Sequence, residues 1–142
     1  MTLLFICRGG VFRSRVAQAI ARHANPNNTF ISSGIKAESN LFGDISAHCE
    51  YVLKKHQLLS STQPSWIQTN QVLIDNADKI FFMSPGVYRD AQKMYQITKP
   101  HTVWDINDIE IPQGKKPKDY DEQLENIFQK IKAQIKNLDL LT

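Results

Sequence analysis

The sequence predicts a doubly wound α/β domain, a four-stranded parallel sheet with helices on both faces. Three observations carry this reading. Short apolar runs alternate with longer segments of helical period. The first run, Leu3 to Ile6, is continuously apolar, as expected of a strand buried on both faces. Turn signals separate the segments, including Gly9-Gly10 and Asn25-Pro26-Asn27-Asn28. Right-handed crossovers then leave few topologies.

The elements follow in order. After the first strand, Ser14 to His23 places Val16, Ala17, Ala19 and Ile20 at helical spacing. Thr29 to Ser33 reads as the second strand, stopped by Gly34. Ser46 to Gln57 has a helical pattern through Ala47, Tyr51, Val52 and Leu53, and Trp66 to Ala77 suits another helix. Lys79 to Met83 is the third strand. Ser84 and Pro85 fit the start of a helix running to about Tyr95, with proline at its first position. His101 to Asp105 is the fourth strand. Asp119 to Leu138 is a long last helix, apolar through Leu124, Ile127, Phe128, Ile131 and Ile135. Trp66 and Trp104 are expected in the core.

Composition narrows the function classes. The 142 residues suit one domain, spanning 1–142, and a chain of this size folds without disulfides or metal. A content of 42% hydrophobic and 22% charged residues excludes a disordered chain. Seventeen basic against fourteen acidic residues leave a net charge of +3, too small for a nucleic-acid coat but compatible with a local anion site. Two cysteines, Cys7 and Cys49, are too few for a disulfide scaffold, so a cytoplasmic protein is expected. No stretch approaches the roughly 20 apolar residues that cross a bilayer, so no membrane insertion is expected. The four histidines have no metal-ligand spacing and read as surface residues; no metal and no cofactor are expected.

The informative segment is Cys7-Arg8-Gly9-Gly10-Val11-Phe12-Arg13-Ser14, between the first strand and the first helix. A loop of this size can curl its backbone N–H groups into an anion nest. Gly9 and Gly10 permit the positive φ values such a loop needs. The following helix adds its positive end. Arg13 offers a planar fork for two phosphoryl oxygens, and the same field favours a thiolate. Ser14 can donate to the sulfur or cap the helix. The chemistry is that of a phosphate-binding loop, Arg8 to Ser14, around a nucleophilic Cys7.

These residues resemble the low-molecular-weight protein tyrosine phosphatases. Leu3 to Ile20 is similar to that family's phosphate loop, and the resemblance runs along most of the chain. Ile31 to Ile35 resembles the second strand and its turn, and Ala77 to Met83 the third strand. Val103 to Asp108 resembles the segment that ends in the family's Asp-Pro general acid. The resemblance implies a flavodoxin-like fold and a phosphatase acting on phosphotyrosine proteins or small aryl phosphates. Cys7 would form a phosphocysteine, Arg13 would bind the transferred group, and Asp108 would serve as acid and then base. It also implies no cofactor and a monomer that binds no nucleic acid. Leu41 and Phe42 would lie in one wall of the substrate cleft.

Several positions depart from the family pattern. Gly10 stands where the family has asparagine, so a looser loop is expected. Phe12 stands where many members have a second cysteine, which excludes a disulfide within the loop. Ile109 follows Asp108 in place of proline, and Asp105 is a rival acid. The His-x-x-Arg element has no clear counterpart near Pro64 to Ile67. Cys49 reads as a half-buried helix residue. Arg8, Arg15, Lys36 and the lysines at 115, 116 and 118 are candidates for a basic mouth, although a lysine run is more often simply a solvated loop. Two further functions therefore stay open: a phosphate- or phosphotyrosine-binding protein with weak turnover, and an arsenate reductase. The latter needs relay cysteines that Phe82 to Tyr95 does not contain.

Overall fold

Alternation along β1 (Thr2–Cys7) builds the two sides of the molecule. Leu3, Phe5 and Cys7 point into one apolar cluster, and Leu4 and Ile6 into a second one across the sheet. The computed structural model describes residues 1–39, 43–109, 111–112 and 114–138. Its order is β1, α1 (Arg13–Ala24), β2 (Thr29–Gly34), α2 (Ala47–Lys55), α3 (Gln71–Asn76), β3 (Lys79–Phe82), α4 (Pro85–Met94), β4 (His101–Val103) and α5 (Asp121–Lys136). Four parallel strands lie in the order β2-β1-β3-β4, the doubly wound sheet that the sequence predicts.

The first cluster is covered by α1, α2 and α5, the second by α3 and α4. Phe5 stacks on Phe30 and Phe81, with Trp104 tilted 5.9 Å away, so Trp104 is a core residue as expected. Because β1 connects to β2 on one side and pairs with β3 on the other, a crevice opens at their carboxyl ends. Cys7 stands at that crevice. Among the described residues no helix is long and apolar enough to cross a membrane.

Two expectations need correction. The third helix begins at Gln71, not near Trp66. Residues 67 to 69 instead bind the free edge of β2. Gly34 N–H donates to the Ile67 carbonyl at 3.0 Å, and Thr69 N–H donates to the Gly34 carbonyl at 2.9 Å. Asn70 then caps α3 by accepting from Leu73 N–H. Held at this edge, Trp66 is only half-buried.

The long α5 is tied to α2 by a polar cluster. Glu125 accepts from His56 and Lys55, and Asp121 accepts from Tyr51 and Lys55. His56 stacks on Phe128 with centroids 3.8 Å apart. Burial pushes the Glu125 carboxyl up, but hydrogen bonds from Gln129, His56 and Lys55 outweigh it and hold it at about 2, against an ordinary value of 4.5. Its stabilising contribution is therefore complete above pH 4.5 and is lost as the pH falls toward 2. Glu125→Gln is expected to melt below wild type at neutral pH, with the two melting curves converging across that acid window. Parallel curves from pH 7 to 2 would contradict the assignment.

Candidate active site

The loop from Cys7 to Arg13 joins the end of β1 to the start of α1 and is tied on every side. Gly10 takes φ +69°, and its N–H donates to Cys7 Sγ at 3.2 Å. The Cys7 and Arg8 carbonyls accept from the N–H groups of Ile35 and Lys36, at 3.0 and 2.8 Å. Ser46, the N-cap of α2, grips the Val11 carbonyl twice, through its N–H at 3.2 Å and its hydroxyl at 3.0 Å. The loosening expected from glycine at position 10 is thus met by ties from other segments. Among the described residues no protein atom accepts from the N–H groups of Gly9, Val11 and Phe12. These donors are available to an anion.

Ser14 is directed from behind. Ser32 on β2 donates its hydroxyl to Ser14 Oγ at 2.6 Å, and Ser14 Oγ lies 3.0 Å from Cys7 Sγ. With Ser32 occupying an acceptor site, the Ser14 proton is free to point at the sulfur. Two donors therefore converge on Cys7.

Arg13 is 4% exposed and anchored at its far side. Nη1 donates to the Ile106 carbonyl at 2.9 Å and reaches Ser84 Oγ at 3.4 Å. Ser84 occupies the N-cap position of α4 without a side-chain cap bond there. Nη2 lies 3.7 Å from Asp108 Oδ2. Asp108 itself is 53% exposed on its side chain and accepts from Ile109 N–H at 2.9 Å. Ile106 is buried, and its N–H donates to the Met83 carbonyl at 2.9 Å. The segment before Asp108 is thus fixed two residues upstream, although no proline follows it.

Together these groups open into a cleft of about 710 Å³. Cys7, Gly9 and Arg13 lie at its base, with His48, Ile109 and Ile111 among its walls. Asp108 lines the cleft and Asp105 does not. Leu41 and Phe42, expected in one wall, lie outside the described residues.

Four other expectations change. His48 is not on the surface. It is 8% exposed and packs edge-to-face on Phe12 with centroids 4.5 Å apart. Burial pushes its imidazole down, with the Asp108 charge opposing. Cys49 is fully buried rather than half-buried, and burial pushes its thiol well up, which leaves it a neutral core group. Arg15 does not reach the mouth; it is 1% exposed and lies behind the loop. Arg8 does line the cleft, but its charge is engaged by Asp90 at 2.7 Å. That guanidinium holds the Asp90 carboxyl below the usual range.

Sequence reasoning missed the support beneath the loop. Gln63, buried just before Pro64 to Ile67, bonds both backbone groups of Ser32 through its amide. It also accepts from Gln18 Nε2 at 2.7 Å. A signal was present: Arg15, Gln18 and Arg22 recur at spacings of three and four on α1, the polar stripe that meets this layer.

A family model described as low molecular weight phosphotyrosine protein phosphatase matches residues 2–140. A probable low molecular weight protein-tyrosine-phosphatase, EpsP, of Ralstonia solanacearum is 32% identical over 77% of this chain and 72% of its own. The low molecular weight protein-tyrosine-phosphatase PtpB of Staphylococcus aureus is 37% identical over 62 residues, only 43% of its length and 44% of this chain. Among solved structures, the YwlE arginine phosphatase with a phosphorylated active-site serine superposes with a TM-score of 0.70. It shares 17% identity, over 99% of this chain and 97% of that one. The family match across nearly the whole chain, on a sheet and loop of this form, leads to one conclusion: the chain belongs to the low molecular weight phosphotyrosine protein phosphatase family.

Proposed function

We propose that the protein hydrolyses aryl phosphate monoesters, phosphotyrosine in proteins included, through a phosphocysteine. The observation that carries this is the convergence of two donors on Cys7 Sγ, with Arg13 and Asp108 within 3.7 Å of each other beside it. Cys7 attacks phosphorus; the S–P bond forms as the bond to the leaving oxygen breaks. Arg13 and the free loop N–H groups hold the equatorial oxygens. Asp108 donates a proton to the departing phenolate. It then takes one from the water that cleaves S–P, releasing phosphate and regenerating the thiolate, to which the Ser14 hydroxyl donates a hydrogen bond.

The cleft favours an aryl group over a guanidinium. Apolar Val11, Phe12, Ile109 and Ile111 line it, and among the described residues Asp108 is its one carboxylate. Lys36 and Lys115 also line it, and they disfavour a cationic substrate. The phosphoarginine activity named for YwlE is therefore not the reading preferred for this chain.

Turnover of p-nitrophenyl phosphate and phenyl phosphate by wild type and Asp108→Asn tests the proposal, with a phosphoarginine peptide alongside. Asp108→Asn is expected to lose about 100-fold in kcat on phenyl phosphate. The loss should be smaller on p-nitrophenyl phosphate, whose phenolate leaves without a proton. Equal rates for both proteins on both esters would remove Asp108 from the mechanism. Phosphate binding without turnover by wild type would favour the binding-protein alternative.

A further inference from the structure

Arg15 is a buried charge that the proposed chemistry leaves unused. Its guanidinium makes four hydrogen bonds, all to neutral oxygens. Nε donates to Thr62 Oγ1 at 2.8 Å, Nη1 to the carbonyls of Asp44 at 2.8 Å and Gly10 at 3.4 Å, and Nη2 to the Gln63 carbonyl. Among the described residues no carboxylate lies within ion-pair distance of it. Carbonyl dipoles satisfy its donors but leave its net charge uncompensated, and an uncompensated buried charge is costly.

Three acidic groups act on this charge: Cys49, Cys7 and Asp44. Asp44 is exposed and its carboxylate accepts from the Ser65 hydroxyl, which leaves the two thiols, and they differ. Cys49 has no strong donor: its Sγ sits 3.8 Å from the Phe12 carbonyl, an acceptor. That contact suits a neutral thiol. Cys7 is the opposite case, with the Ser14 hydroxyl and Gly10 N–H both directed at its sulfur. Gly10 bridges the two charges, its N–H on the Cys7 sulfur and its carbonyl on Arg15. Burial pushes the Arg15 guanidinium down, and negative charge on Cys49, Cys7 or Asp44 works the other way.

We propose that Arg15 is the buried counter-charge of the Cys7 thiolate, a positioning residue that holds Gly10 and favours the nucleophile from behind the phosphate loop. The assignment rests on Cys7 being the nucleophile of the proposed function. Other titratable or charged groups facing the pair are Asp44 and Cys49 from the α2 side and Arg22 from α1. Arg8, Arg13, Lys36, His48, Asp108 and Lys115 line the cleft into which Cys7 opens. All of them are unchanged in Arg15 variants, so differences among those variants report on position 15.

Alkylation of the full chain by iodoacetamide, followed from about pH 5 to 9 with the labelled cysteine identified by mass spectrometry, tests this without any substrate. Arg15→Gln and Arg15→Met are expected to alkylate Cys7 about tenfold more slowly near pH 6 and to approach the wild-type rate near pH 9. Arg15→Lys keeps the charge but not the four bonds, and should stay within about threefold of wild type throughout. Neutral variants that follow wild type overturn the assignment. So does a lysine variant as slow as glutamine, because the bonds and not the charge then matter. Should the neutral variants fail to fold by circular dichroism, the lysine variant decides against wild type alone: a rate within about threefold near pH 6 keeps the assignment, and a rate about tenfold slower overturns it. A wild type no more reactive near pH 6 than a free cysteine rejects the nucleophile reading itself, and this inference with it.

Discussion

Cys7→Ser is expected to show no turnover of p-nitrophenyl phosphate above background, a loss of about 10⁴-fold or more. The change is one atom, and the site around it stays. Gly10 N–H and the Ser14 hydroxyl, 3.2 and 3.0 Å from the sulfur, have an oxygen to bond in its place. Arg13 keeps its Ile106 anchor. What disappears is the ionisable nucleophile: a serine hydroxyl stays protonated without a general base beside it, and the same donors cannot replace one. Anion binding should survive. Phosphate is therefore expected to raise the melting temperature of Cys7→Ser much as it does that of wild type. Turnover by Cys7→Ser within tenfold of wild type would falsify the nucleophile assignment. Loss of the phosphate effect on stability would mean instead that the loop had rearranged.

A second large effect is expected at a residue with no chemistry of its own. Gly34 ends β2 opposite Cys7, and the loop from Cys7 to Arg13 rests directly on it. A Cβ there would stand 2.4 Å from Gly10 N and 2.5 Å from the Gly9 carbonyl carbon. Both neighbours are backbone and cannot swing away. On the other side, Gly34 is held by Ile67 and Thr69, so β2 cannot retreat without breaking those bonds. Gly34→Ala is expected to destabilise the fold by about 3 kcal/mol, lowering the melting temperature by roughly 10 °C. Any folded fraction should bind phosphate weakly, because the displaced atoms belong to Gly9 and Gly10. A variant that melts with wild type and keeps its turnover would show that the two backbones have room to part.

Much of the architecture was legible because burial imposes a period. Leu3 to Ile6 could be read as a strand without knowing its neighbours, and α4 from Ser84-Pro85 and the apolar spacing that follows. Trp66 misled because apolar residues before Asn70 mimic a helix turn, while hydrogen bonds to Gly34, 33 residues away, hold that stretch at the sheet edge. His48 and Cys49 sit in the first turns of α2, where composition says nothing of depth. Their burial comes from the packing of that turn against Phe12. Arg15 read as a mouth residue because lone arginines usually reach water. Its acceptors are the main-chain carbonyls of residues 10, 44 and 63, which no side-chain pattern reveals.

Local period, turn chemistry and spacing are enough to define the layered α/β architecture and to put one cysteine and one arginine on a strand-to-helix loop. How that loop is held and charged depends on contacts between distant segments. Ser32 on β2 turns the Ser14 hydroxyl toward Cys7, and Ile106, 93 residues beyond Arg13, fixes the arginine whose other edge meets Asp108. Gly34 lends its missing side chain to the loop's backbone, and Arg15 lies beneath it. These contacts depend on which strands become neighbours, and in a parallel sheet that is settled by crossovers and burial of the whole chain, not by any short stretch of it.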